Sequence, residues 1–292
     1  MTPKAEKTAP QLVIHEDDVG MCHGANTAFL DLAGRGICTS GSVMVPCPWF
    51  PEIAAAASEN PSLDLGVHFT LTSEKRFYRW SPLTRAPQSA GLTDKDGYFW
   101  NNVGDLRRRA HPEAIEAEMR AQVDRALGMG IDVTHFDAHQ FAAMAPEFVD
   151  IYLRLGQDYR VPVMFPRQFG SFDYAPNLGE VDLGRYEKPA ASLAERGNPL
   201  FDRILETPWG HKGDARQAYE TMLGDIADGR TFLALHFNAP GEIEVIEPES
   251  ARTRIDEYGV FGQAGFGGWL RDRGFALIGF RDFRDEMRRA AA

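Results

Sequence analysis

Cysteine is scarce in this 292-residue chain: Cys22, Cys38 and Cys47 are odd in number and form no CxxC pair. They read as reduced thiols in a reducing compartment, which excludes a disulfide framework. Basic residues are outnumbered, 31 Lys and Arg against 42 Asp and Glu, for a formal net charge of -11. That balance argues against nucleic acid or an anionic membrane surface as partner. No apolar run reaches the length of a signal-peptide core or a membrane span, and the opening MTPKAEKTAP is polar. A soluble cytoplasmic protein is therefore expected. The GxSxG, Walker A and GxGxxG signatures are missing too, which weakens serine-hydrolase, nucleotide-triphosphatase and dinucleotide-binding readings.

What is there suits a large core: 43% hydrophobic residues, with 28 glycines and 18 prolines to turn the chain. One domain over 11–292, after a flexible N-terminal segment 1–10, fits these numbers better than two small ones. Short apolar, β-branched runs recur at 11–15, 41–45, 63–71, 132–136, 161–165, 231–237 and 275–280, predicting about seven strands. Between them, stretches such as GANTAFLDLAGRG and PEAIEAEMRAQVDRALGMG place apolar residues at helical spacing. Alternating strands and helices predict a parallel sheet, hence an α/β fold: a (β/α) barrel, complete or incomplete, with an open doubly wound sheet as the alternative. The connections 73–110 and 168–213 are too long for turns, and both follow the C-terminal ends of predicted strands. They are lid candidates over the face that carries active sites in barrels.

The first predicted strand ends in an unusual way. QLVIHEDDVG, residues 11–20, runs from apolar residues into His15, Glu16, Asp17 and Asp18. Neighbouring carboxylates resist joint burial, and successive strand residues point to opposite faces. Two readings follow: a solvated strand end that caps the next helix, or a cation that resolves the charge. Histidines at other strand ends bear on the choice. His68 lies in LDLGVHFTLT, His135 and His139 in VTHFDAHQF, and His236 in FLALHFNAP. A lone histidine on an apolar strand is usually a satisfied core residue, but four of them plus an Asp-Asp pair are harder to explain so. One carboxylate and two imidazoles make a ligand set that leaves positions open for water and substrate on Zn, Fe or a related divalent ion. Asp137, between two of the histidines, is either a partner that fixes a ring tautomer or a strand-end cap. Arg167, directly after a predicted strand, either faces the pocket or forms a surface ion pair. Trp80, Phe99, Trp100 and Trp209 in the long connections either offer flat faces to a substrate or form the underside of folded loops.

Taken in order, these motifs resemble the YdjC-like deacetylase family of carbohydrate deacetylases. HEDDVG is similar to its A-D-D-[FL]-G, GICTSGSVMVP to its G-[IV]-x-T-S-x-S-[LV]-M-V segment, LGVHFTLT to G-[LV]-H-[LF]-x-L-T, and THFDAHQ to H-x-D-x-H. LHFNAP is a weaker counterpart of a late His-Pro element. The resemblance implies a distorted barrel. It also implies one divalent metal ion, Mg or Zn, held by Asp18, His68 and His139. Asp17 would be the catalytic base and His236 the acid. The strand-end positions of His135, Asp137 and Arg167 place these three, independently of the resemblance, around the site or toward substrate. The implied reaction removes an acetyl group from an N-acetylated amino sugar, so the expected partner is a small-molecule or oligosaccharide substrate; a homo-oligomer is allowed. The chain departs from the pattern at Glu16, where alanine is usual. It departs again at Phe141, in place of a last histidine, and in the Asn238-Ala239 that separates His236 from Pro240. These bear on the pocket wall rather than on the implied ligands. The alternatives are a metal-dependent amidase or esterase acting on a non-sugar substrate, and a catalytically silent carbohydrate-binding protein. The intact Asp17 argues against the latter, because a pure binder has no need of a base.

Overall fold

The architecture is that of a computed structural model, which describes residues 9–171 and 175–290. Most of the expected flexible segment 1–10, and 172–174 of the second long connection, lie outside the described residues. The strands are β1 (Gln11–Val19), β2 (Ser40–Val43), β3 (Leu65–Phe69), β4 (Phe136–Ala138), β5 (Arg203–Glu206), β6 (Arg230–Leu235) and β7 (Ala276–Leu277). Every pairing among them is parallel, in the order β4-β3-β2-β1-β6-β5, with β7 added at the start of β1. Leu12, Val13 and Ile14 are wholly buried on both faces of β1, as a parallel strand covered by helices requires. The helices His23–Gly34, Phe50–Glu59, Pro112–Gly128, Val149–Tyr159, Ala215–Gly224, Ala251–Phe261 and Ala264–Asp272 lie between strands. The sheet curls into a half-barrel.

Two expectations about strands are corrected. Residues 161–165 form no strand, although bridges Phe136↔Val163 and Pro166↔Phe201 connect the β4 edge to Phe201, just ahead of β5. Pro162 has no N–H for a ladder, and the Asn198 side chain takes the place of a neighbour: its Oδ1 accepts from Val163 N (2.8 Å) and its Nδ2 donates to Val163 O (2.9 Å). The missing strand is β5 instead, inside the region expected to be a loop over 168–213. That region also contains the helix Glu187–Glu195. The predicted strand at 132–136 is displaced as well: His135 precedes β4, and His139 follows it in a short 3-10 turn. Among the described residues no helix is long and apolar enough to cross a membrane.

Candidate metal centre

The C-terminal ends of β1, β3, β4, β5 and β6 bring Asp17, Asp18, His68, His139, Glu206 and His236 to one pocket. Its volume of roughly 120 Å³ is well under the about 300–1,000 Å³ of a site that encloses a whole drug-sized ligand. It is too small to enclose a whole ligand of that size. A larger cavity of about 530 Å³, lined by Phe29, Cys38, Asp64 and Leu277 among others, contains none of these groups.

Strand alternation leads one to expect Asp17 and Asp18 on opposite faces, yet both line the pocket. The register of β1 against β2 slips between Glu16 and Val19, and Asp18 has φ 60°. A bulge with one left-handed residue re-aims the side chain that regular pleating would turn away. Glu16 does point elsewhere: it is fully buried, and its Oε2 accepts from Phe237 N at 2.8 Å. Burial and the nearby Glu257 push its carboxyl well above the usual range.

Asp18 Oδ1 lies 3.1 Å from His139 Nδ1 and 3.7 Å from His68 Nε2. This oxygen is buried without a hydrogen bond of acceptable geometry. Three donor atoms from three strand ends therefore face one another, as a shared cation demands, and each is backed by a further partner. Ser42 Oγ donates to Asp137 Oδ2 (2.9 Å), so its oxygen is left to accept from His68 Nδ1 (3.1 Å). That places the free lone pair of His68 on Nε2, toward Asp18. Asp137 Oδ1 is 3.0 Å from the same Nδ1. Glu74 Oε2 lies 3.1 Å from His139 Nε2, which leaves Nδ1 to face the cluster. Arg254 Nη1 donates to the other oxygen of Asp18 at 2.9 Å. Burial raises the Asp18 carboxyl, but His139 and Arg254 outweigh it and hold it well below the usual range. Burial likewise lowers His139, but the charges of Glu74 and Asp18 outweigh that and carry it to about 10. The field that holds a proton there also suits a divalent cation.

Asp17 stands beside this set rather than in it. Its Oδ1 accepts from His15 Nδ1 at 2.7 Å, and its Oδ2 lies 4.0 Å from both His68 Nε2 and His236 Nε2. Burial raises its carboxyl, against the pull of His68 and His15. His236 is oriented from behind: Thr207 Oγ1 donates to Glu257 Oε1 (2.8 Å), so it accepts from His236 Nδ1 (2.8 Å). The ring's Nε2 lone pair then opens into the pocket. Burial, then the charge of Arg254, holds this imidazole well below its usual value, and therefore neutral.

Other expected residues are placed differently. Arg167 is exposed, its Nε pairing with Asp202 Oδ1 at 2.7 Å, and it does not line this pocket. His135 is fully buried below the pocket, stacked on Phe280 with ring centroids 3.9 Å apart. Trp80 and Phe99 are core residues, and half-buried Trp100 bonds Gly91 O. Trp209, 41% exposed, lies 4.7 Å from the His236 ring and lines the pocket with Phe141. Sequence reasoning missed Ser42, Glu74, Lys75, Thr207, Arg254 and Glu257. Ser42 sits within GICTSGSVMVP and could have been found there; the others lie in loops or on the helix Ala251–Phe261 with no distinctive spacing.

A family model described as YdjC-like protein matches residues 11–272. A carbohydrate deacetylase of Thermus thermophilus is 34% identical over 230 residues, which cover 78% of each chain. A carbohydrate deacetylase of Geobacillus stearothermophilus is 24% identical over 272 residues, 93% of this chain and 97% of its own. A solved structure from Enterococcus faecalis, of a cellobiose-phosphate cleavage protein, shares the fold with TM-score 0.75 at 20% identity, covering 94% of this chain and 99% of that one.

Proposed function

From the premise that this chain belongs to the YdjC-like family, we propose that it is a metal-dependent hydrolase that removes the acetyl group from an N-acetylated amino sugar or a related carbohydrate. The observation that carries the reading is the convergence of Asp18 Oδ1, His68 Nε2 and His139 Nδ1 beside a carboxylate, Asp17, that is not one of the three. Two nitrogen donors and one oxygen favour zinc over magnesium, which prefers oxygen ligands. The relatives' carbohydrate chemistry supports the substrate class, and the buried free thiols fit a cytoplasmic setting.

An amide is a poor electrophile and its amine a poor leaving group. A divalent ion held by these three donors would polarise the acetyl carbonyl and acidify the attacking water. Asp17 Oδ2 takes the water's proton, while the hydrogen bond from His15 Nδ1 to Oδ1 fixes the carboxylate. His236 is neutral at the outset, so its Nε2 must gain a proton before it can give one to the departing nitrogen; Asp17 Oδ2, 4.0 Å away, is the near source. Each such transfer contributes roughly 10²- to 10⁴-fold in rate. Trp209, at the mouth, offers a flat face to a sugar ring outside the small pocket.

The test is acetate release from a panel of N-acetylated mono- and oligosaccharides, set beside simple amides and esters. Release from the sugars is expected. Turnover of the simple amides or esters alone would move the reading to a hydrolase of non-sugar substrates.

A further inference from the structure

Below the pocket, the half-barrel holds a second set of facing donor atoms. His15 Nε2 and His135 Nε2 are 2.9 Å apart, and Asp137 Oδ2 lies 3.7 Å from His15 Nε2. All three residues are buried, at 0%, 0% and 1% exposure. We propose that His15, His135 and Asp137 form a second, wholly enclosed site for a transition-metal dication such as zinc, separate from the Asp18, His68 and His139 set.

The reasoning starts from the far side of each ring. His15 Nδ1 lies 2.7 Å from Asp17 Oδ1, and a carboxylate accepts. His135 Nδ1 lies 2.9 Å from Thr134 Oγ1, whose hydroxyl hydrogen goes to Asp64 Oδ1 at 2.5 Å. Both imidazoles thus carry their proton on Nδ1, and both Nε2 lone pairs point at the same small volume. Facing lone pairs in a dry core repel unless a proton or a cation lies between them. A proton there would leave an imidazolium held by a single hydrogen bond between aromatic walls in a dry core. A dication would bond both lone pairs and the Asp137 carboxylate at once, and ligand imidazoles backed by a carboxylate or a hydroxyl-carboxylate pair follow the pattern of metal-bound histidine. The fit is close: zinc at ordinary Zn–N distances in tetrahedral geometry holds two nitrogens about 3.3 Å apart, so the rings need separate by only a few tenths of an ångström.

The surroundings keep water out. His15 packs against Phe232 at 4.7 Å between centroids, and His135 stacks on Phe280 at 3.9 Å. The His135 ring fits because residue 66 is glycine: a Cβ there would lie 2.6 Å from His135 Cε1 and from its carbonyl oxygen. With three protein donors a tetrahedral ion keeps one further position, but the burial of all three residues closes it to substrate, so the ion's role would be structural. Through the His15–Asp17 hydrogen bond it would also fix the orientation of the proposed base.

Metal counting by mass spectrometry on the full chain, loaded with zinc and freed of excess, tests the inference. Wild type is expected to hold about two ions per chain, and His68→Ala and His135→Phe about one each. Phenylalanine keeps the stack on Phe280 while removing both nitrogens; should that variant fail to fold by circular dichroism, His15→Leu replaces it. A single ion lost in His68→Ala but kept in His135→Phe and His15→Leu would overturn the second site, as would a wild type that holds none. A single ion lost in His135→Phe and kept in His68→Ala would sustain the core site and count instead against the proposed Asp18, His68 and His139 set.

Discussion

At φ 60°, Asp18 occupies a backbone region that costs a non-glycine residue on the order of 1 kcal/mol or more. The return for that strain is that two adjacent carboxylates reach one pocket, where the proposed reading gives them different work. Asp18→Asn should lose the pocket ion, whereas Asp17→Asn should keep it and lose roughly 10²-fold or more in kcat. Metal analysis and steady-state kinetics on both variants check this; an Asp17→Asn protein without metal would exchange the roles. Behind His236, Thr207 holds the ring tautomer. Thr207→Val should therefore lower kcat by roughly tenfold or more with metal content unchanged, and Thr207→Ser should restore it. Glu257 gives a pH signature. Burial raises its carboxyl from 4.5 to about 7, so its folded form binds a proton more tightly than its unfolded form. Its contribution to stability is complete below about pH 4.5 and is lost as pH rises through about 7. Glu257→Gln should flatten that part of the Tm-against-pH curve, and an unchanged slope would contradict the assignment. The histidines that build the site were legible because an imidazole at the end of an apolar strand stands out. Arg254 and Glu257 were not, since a charged pair on the helix Ala251–Phe261 looks like any solvated helix face until burial is known.

Among the elements, strands with β-branched, apolar runs were readable, and those depending on a partner were not. Residues 161–165 read as a strand by composition, but a proline and the Asn198 side chain turn them into a bridge between sheet edges. β5, RILE, is only four residues long, and it is paired on β6 in a register that short-range pattern cannot supply. The regular alternation read into β1 failed at its last residues, where a bulge is decided by what the side chains must reach. In β3, Gly66 lies against the His135 ring. Gly66→Ala forces a Cβ onto backbone as well as ring, so it should cost about 1–3 kcal/mol and lower Tm by roughly 2 °C or more. Calorimetry giving an unchanged Tm would show that β3 and His135 can separate freely.

For the whole molecule, parallel strands in a curled sheet gather their C-terminal ends on one side, which is why residues from 17 to 254 share one pocket. The two long connections add to its walls: Glu74 and Lys75 come from the first, Asn177, Glu206 and Trp209 from the second. A barrel, complete or incomplete, was expected from the alternation of elements; the link through 163–166 was not, because it rests on two bridges rather than on a strand. The central claim is that an ion gathered by these strand ends enables amide hydrolysis. Its most direct test is acetate release from an N-acetylated oligosaccharide by the chelator-stripped protein, followed as zinc or magnesium is added back. The stripped protein should release essentially no acetate and regain its rate as the ion returns, whereas full-rate release without any ion would contradict the account.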